Sequence, residues 1–123
     1  MEHLFFNCPY SFRVWTNLTR KIGINWQQQG WQGTVNQMIN ETKGKTLRSM
    51  IARIVFNVAI YSIWRERNAR WATNTYIDAV TTTKEIKRMV SYRLAGLRRI
   101  PRTLGNFSLQ REWNLPISIF NDL

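Results

Sequence analysis

Apolar side chains recur at helical spacing in four blocks along the chain, and turn-forming residues separate the blocks. Residues 9–22 form the first: Pro9 suits an opening turn, Val14, Trp15, Leu18 and Ile22 share one face, and Gly23 is a natural stop. A Gln-rich stretch, residues 25–33, reads as a loop pinned by Trp26 and Trp31. A short second helix is expected over residues 34–43, with Val35, Met38 and Ile39 on one side and Gly44 ending it.

The block from Lys45 to about Trp71 carries the strongest pattern. Leu47, Met50, Ile51, Ile54, Val55, Val58 and Tyr61 form one stripe, and Phe56, Ile60, Ile63 and Trp64 lie on the opposite side. A helix apolar on two sides is the central element of a bundle, or has a partner on each face. The fourth block, residues 76–100, places Tyr76, Ala79, Thr83, Ile86, Val90, Leu94 and Leu97 on one face and Lys84, Lys87, Arg88, Arg98 and Arg99 on the other, with Pro101 as its stop. Residues 101–123 read as an irregular tail, docked if Trp113, Leu115 and Ile117 find a groove. The fold expected is all-α: one small bundle of about four helices over residues 1–100, followed by that tail.

Composition agrees with a folded domain. The chain has 123 residues, 44% hydrophobic, with six Trp, a length that buries about two-thirds of the unfolded surface. The single cysteine excludes an internal disulfide, which makes a nuclear or cytoplasmic setting the expectation. The N-terminus lacks the basic and apolar regions of a signal peptide. The most apolar run covers only residues 54–64 and includes Asn57 and Ser62, short of the roughly 18–20 residues that span a bilayer, so no membrane span is expected.

Charge changes the picture more. The chain carries 18 Lys and Arg against 7 Asp and Glu, a formal net charge of +11. The excess is concentrated between residues 43 and 102, the two longest predicted helices, and the flanking segments are near neutral. Localised positive charge is the footprint of a protein that meets phosphates, although helix faces solvated by Lys and Arg have the same composition. Trp64 and Trp71 bracket Arg65, Arg67 and Arg70. Arginine pairs with phosphate and aromatic rings stack on bases, which gives a nucleic-acid reading; seven-residue aromatic spacing equally suits two core anchors.

Catalytic signatures are missing. No two of the seven acids lie close enough in sequence to suggest a paired-carboxylate centre, and there is no Gly-rich phosphate loop and no His-Glu-x-x-His. A non-enzymatic protein is expected. His3 and Cys8 have the separation of one half of a Cys/His zinc site, but a structural site needs four ligands and the second pair is absent from the chain. Equally, the histidine can be solvated and the cysteine a small buried apolar group.

Two stretches carry a resemblance. His3-Leu4-Phe5-Phe6-Asn7-Cys8-Pro9-Tyr10-Ser11, followed by Val14-Trp15, resembles the second half of the zinc-binding domain at the C-terminal end of plant non-LTR (LINE-type) retrotransposon reverse transcriptases. Ile63-Trp64-Arg65-Glu66-Arg67-Asn68-Ala69-Arg70 resembles the segment that follows it there, and Trp113-Asn114-Leu115-Pro116 resembles the closing tail. The resemblance implies that residues 1–24 hold half a zinc-binding motif and the first helix. His3 and Cys8 would be two zinc ligands whose partners, an upstream Cys-x-x-Cys, precede Met1; this chain alone is expected to hold no cofactor. It also implies a truncated, non-catalytic remnant with non-specific affinity for RNA or DNA, carried by Arg65, Arg67, Arg70, Lys84, Lys87, Arg88, Arg98 and Arg99. The alternative from another class is a helical interaction module that forms homo-oligomers through the apolar central helix.

Overall fold

The computed structural model describes residues 8–73 and 77–122. Among them are five α-helices and one 3-10 turn, and no strand: α1 (Pro9–Ile22), α2 (Gly30–Thr42), α3 (Leu47–Thr73), α4 (Ala79–Leu94), α5 (Leu104–Glu112) and the turn Ile117–Phe120. The small all-α bundle is as expected, with five helices rather than about four.

Helix α1 starts on Pro9, whose missing N–H costs nothing in a first turn, and stops at Gly23, which adopts φ 82° and donates its N–H to the Arg20 carbonyl. The left-handed turn suits glycine because no Cβ resists it. Helix α2 begins four residues before the expected position, inside the stretch read as a loop. Trp26 accounts for the difference. Its ring packs on Trp15 and Phe12, at centroid distances of 6.4 and 5.6 Å, and its Nε1–H donates to Thr34 Oγ1 at 3.0 Å. The connection is thereby drawn onto the core, leaving Gly30 to open the helix with φ 81°.

Helix α3 is the hub. It packs against α1, α2, α4 and α5, which is the arrangement its two apolar sides require. Leu47, Ile51, Ala52, Val55, Val58, Ala59 and Ile63 are buried along it. By length and composition α3 is apolar enough to cross a membrane, and half of its most apolar stretch is buried inside the bundle. The run of residues 54–64 understated the helix, because buried Leu47, Ile51 and Ala52 extend its apolar surface towards the N-terminus.

Helix α4 is shorter than the expected 76–100; Tyr76 lies outside the described residues. Its cap is Asp78, whose carboxylate accepts the Thr81 N–H at 2.7 Å, and this hydrogen bonding, backed by Lys84, holds the carboxyl below its usual range. The helix ends at Leu94 although Leu97 continues its periodicity. Beyond Gly96 the backbone turns away: Arg99 adopts φ 61°, and the N–H groups of Arg99 and Ile100 donate to the Asn121 and Ile119 carbonyls at 2.7 and 3.0 Å.

The C-terminal stretch is ordered rather than irregular. Thr103 Oγ1 caps α5 by accepting the Asn106 N–H at 3.1 Å, and α5 leads into Trp113. That indole is fully buried, and its Nε1–H donates to the Lys21 carbonyl at 3.1 Å; the Trp113 carbonyl in turn accepts the Ser91 hydroxyl. Leu115 docks as expected. Ile117 does not: it is 61% exposed, and Ile119 and Phe120 take the buried positions instead, with the Phe120 ring tilted against Phe107 at a centroid distance of 4.5 Å. The 3-10 turn sets this phase.

Truncating a buried Trp removes both its transfer energy and its packing. Trp113→Ala is therefore expected to destabilise the bundle by about 3–5 kcal/mol in urea unfolding, whereas Ile117→Ala stays within about 0.5 kcal/mol. Equal costs at the two sites would show that the C-terminal segment is not docked in this phase.

Candidate nucleic-acid interface

The basic side chains marked by sequence divide into three groups. The first is the polar end of α3, where helical phase separates neighbours. Glu66 is buried despite its charge. Its Oε1 accepts the Ile77 N–H at 2.9 Å and Arg70 Nε at 3.3 Å. Arg70 also donates to the Ile77 carbonyl at 2.8 Å, and its guanidinium lies 3.8 Å above the centre of the Tyr10 ring. Tyr10 is hydrogen-bonded to Thr82 across the helix pair, and burial pushes its phenol above the ordinary range. Arg70 is thus a structural clasp among α3, α1 and the start of α4. A buried carboxylate needs such partners, since leaving it unpaired costs several kcal/mol.

Arg65 points the other way. It is exposed, with its guanidinium 5.7 Å from the Tyr61 ring centre. Arg67 is half-buried and its charge acts on Cys8. Trp64 and Trp71 are not core anchors: they are 52% and 93% exposed, so seven-residue spacing here presents rings to solvent.

The second group lies on α4. Lys84 and Arg88 are exposed, Lys87 is half-buried, and none takes part in the three ion pairs found among the described residues, Lys21–Glu112, Arg48–Glu41 and Arg70–Glu66. Two shallow depressions meet at Lys84. One, of about 320 Å³, is lined by Asn17, Arg20, Lys21, Val80, Thr83, Lys84 and Glu112. The other, of about 430 Å³, is lined by Lys84, Lys87, Arg88, Ser91 and Asn114. Arg20 and Lys21 were not singled out by sequence. They lie three and four residues beyond Asn17 on α1, which is the signal that places them on one face, but only the packing of α1 on α4 brings that face beside Lys84.

In the third group, Arg99 ties the turn after α4 to the C-terminal segment, and Arg98 bonds only to carbonyls of its own turn. Arg98 donates to the Leu97 carbonyl at 2.7 Å, and Arg99 Nε to the Asp122 carbonyl at 3.1 Å. Both side chains remain exposed, separated from the α4 stripe by the turn at Gly96.

Of the expected zinc pair, His3 lies outside the described residues. Cys8 stands at the start of α1, half-buried. Burial pushes its thiol up, but hydrogen bonding from Ser11 and Tyr10 and the charge of Arg67 outweigh this and hold it below the ordinary value. Among the described residues no group of three or more His, Cys, Asp or Glu side chains converges, so these residues do not make up a four-ligand site.

Comparison with protein-family models, curated proteins and solved structures finds no match to this chain.

The clasp and the solvent-facing side chains separate in stability measurements. Glu66→Ala leaves Arg70 and the Ile77 N–H without their acceptor and is expected to cost about 3 kcal/mol in urea unfolding, while Arg65→Ala costs less than about 0.5 kcal/mol. Indistinguishable midpoints for these two variants would contradict the inward placement of Glu66.

Proposed function

We propose that this chain is the helical C-terminal region of a plant non-LTR (LINE-type) retrotransposon reverse transcriptase, and that it binds RNA or DNA non-specifically, without catalysis and without a cofactor of its own. The observation that carries the binding reading is the surface where α1 meets α4. There Arg20, Lys84, Lys87 and Arg88 line two adjoining depressions, and only Lys21, beside them, is neutralised by a carboxylate. Phosphates along a strand meet such a surface without any demand on base sequence, because the contacts are to the backbone and the gain is largely counterion release.

The commitment of four of the seven acids supports the non-catalytic part. Glu41 pairs with Arg48, Glu66 with Arg70 and Glu112 with Lys21, and Asp78 caps α4. Each has a structural partner, which leaves it poorly placed for general acid-base or metal chemistry. Family membership is supported by the His3–Ser11, Ile63–Arg70 and Trp113–Pro116 blocks in their order along the chain. A second reading, a module that associates through α3, is favoured by the exposed rings of Tyr61, Trp64 and Trp71.

The test is fluorescence anisotropy with labelled oligouridine across a salt series. Binding is expected at low salt and is expected to weaken steeply as salt rises. The triple variant Lys84→Ala, Lys87→Ala, Arg88→Ala removes three phosphate partners, which should lower the slope of log K against log salt by about 2. Absence of binding at low salt, or an unchanged slope in the triple variant, would refute the assignment of this face.

A further inference from the structure

We infer that the outward stripe of α3, formed by Tyr61, Trp64 and Trp71 with Arg65 among them, is a stacking platform for the unpaired bases of single-stranded nucleic acid. This deepens the proposed function and rests on it: the α1–α4 surface holds phosphates, and the α3 stripe selects strands whose bases are free.

Helical geometry puts the three rings on one face. At 3.6 residues per turn, Tyr61, Trp64 and Trp71 fall within about 80° of the helix circumference, spread over about 15 Å along the axis. All three are exposed, Trp71 almost completely. Large aromatic rings held in water are unfavourable for an isolated domain, and several on one face mark a surface that meets something. The core has its own indoles in Trp15 and Trp113.

Charge identifies the occupant. The polar residues that share this side of α3, Asn57, Arg65 and Asn68, are neutral or basic and exposed; the acid nearby, Glu66, is turned inward onto Arg70. A second copy of this chain would set Arg65 against its equivalent and add +11 to +11, which opposes self-association. A polyanion meets complementary charge. Of polyanions, duplexes bury the faces of their bases, and single strands present them to aromatic rings and to arginine. The platform is also preorganised, because the clasp of Glu66, Arg70 and Tyr10 ties the back of the same helical turns to α1 and α4. A rigid surface loses little conformational freedom on binding.

Anisotropy with oligouridine and with an RNA duplex of equal length tests this, on the full chain and on Trp71→Ala and Trp71→Phe variants. Trp71 is exposed, so both variants are expected to retain the helical circular-dichroism spectrum of the parent. The single strand should bind more tightly than the duplex. Trp71→Ala should weaken the single strand by roughly tenfold or more, with little effect on the duplex, and Trp71→Phe should restore most of the loss. Salt-sensitive binding of both ligands that Trp71→Ala leaves untouched would overturn the platform while sparing the proposed function. No binding of either ligand would overturn both. A dimer in sedimentation that Trp71→Ala dissociates would also overturn it, by giving the stripe to a second copy.

Discussion

Covering the apolar surface of α3 is the constraint on which this architecture depends. A helix of 27 residues with buried positions around much of its circumference cannot be satisfied by one partner, and here four helices share the task. The connections follow from it. The loop before α2 is drawn in by Trp26, and the chain after α4 turns back so that Trp113, Leu115, Ile119 and Phe120 complete the core. Those late residues matter as much as the early ones, since Trp113 bridges the end of α1 and the flank of α4 through its indole and its carbonyl.

At its last turns α3 changes task. Its neighbours there are the first turn of α1 and the segment entering α4, and both are met by polar groups. Glu66 and Arg70 turn inward, using charge to fasten three elements at one point. Tyr61, Trp64, Arg65 and Trp71 turn outward. Residues adjacent in one short motif thus have opposite fates, decided by the 100° step of the helix. A basic motif read as a single binding element is in fact a clasp on one side and an open surface on the other. The same division holds for the chain's charge: Arg70 and Arg48 are paired with carboxylates, and Lys84, Lys87 and Arg88 take no part in the ion pairs of the described residues.

Sequence made legible those elements whose local signals agreed with their packing. Pro9 and Gly23 bound α1, and α3 declares itself by apolar residues at helical spacing. The buried face of α4 was also legible, but its end was not, because Leu97 prolongs the periodicity while Gly96 and the left-handed Arg99 break the helix. Helix α5 has no fully buried residue and so no apolar stripe to read; Thr103 as cap was its one local sign. On the basic face of α4, Lys84, Lys87 and Arg88 were legible from helical phase. Arg20 and Lys21 were not, since their place beside Lys84 is a product of tertiary packing. Nor could the role of Arg70 be read, because its partners Tyr10 and Ile77 are supplied by other elements, and the spacing of Trp64 and Trp71 fits burial and exposure equally well.

In the proposed function one end of α3 holds the fold with its inner side and meets a nucleic-acid strand with its outer side. Side-chain NMR during titration with oligouridine tests it most directly, following the indole N–H signals of the six Trp and the Arg Nε–H signals. The Trp64, Trp71 and Arg65 signals are expected to shift, with Trp113 and Arg70 unmoved. Shifts centred on Arg70 and Trp113, or none at Trp64 and Trp71 under conditions where the strand binds, would contradict it.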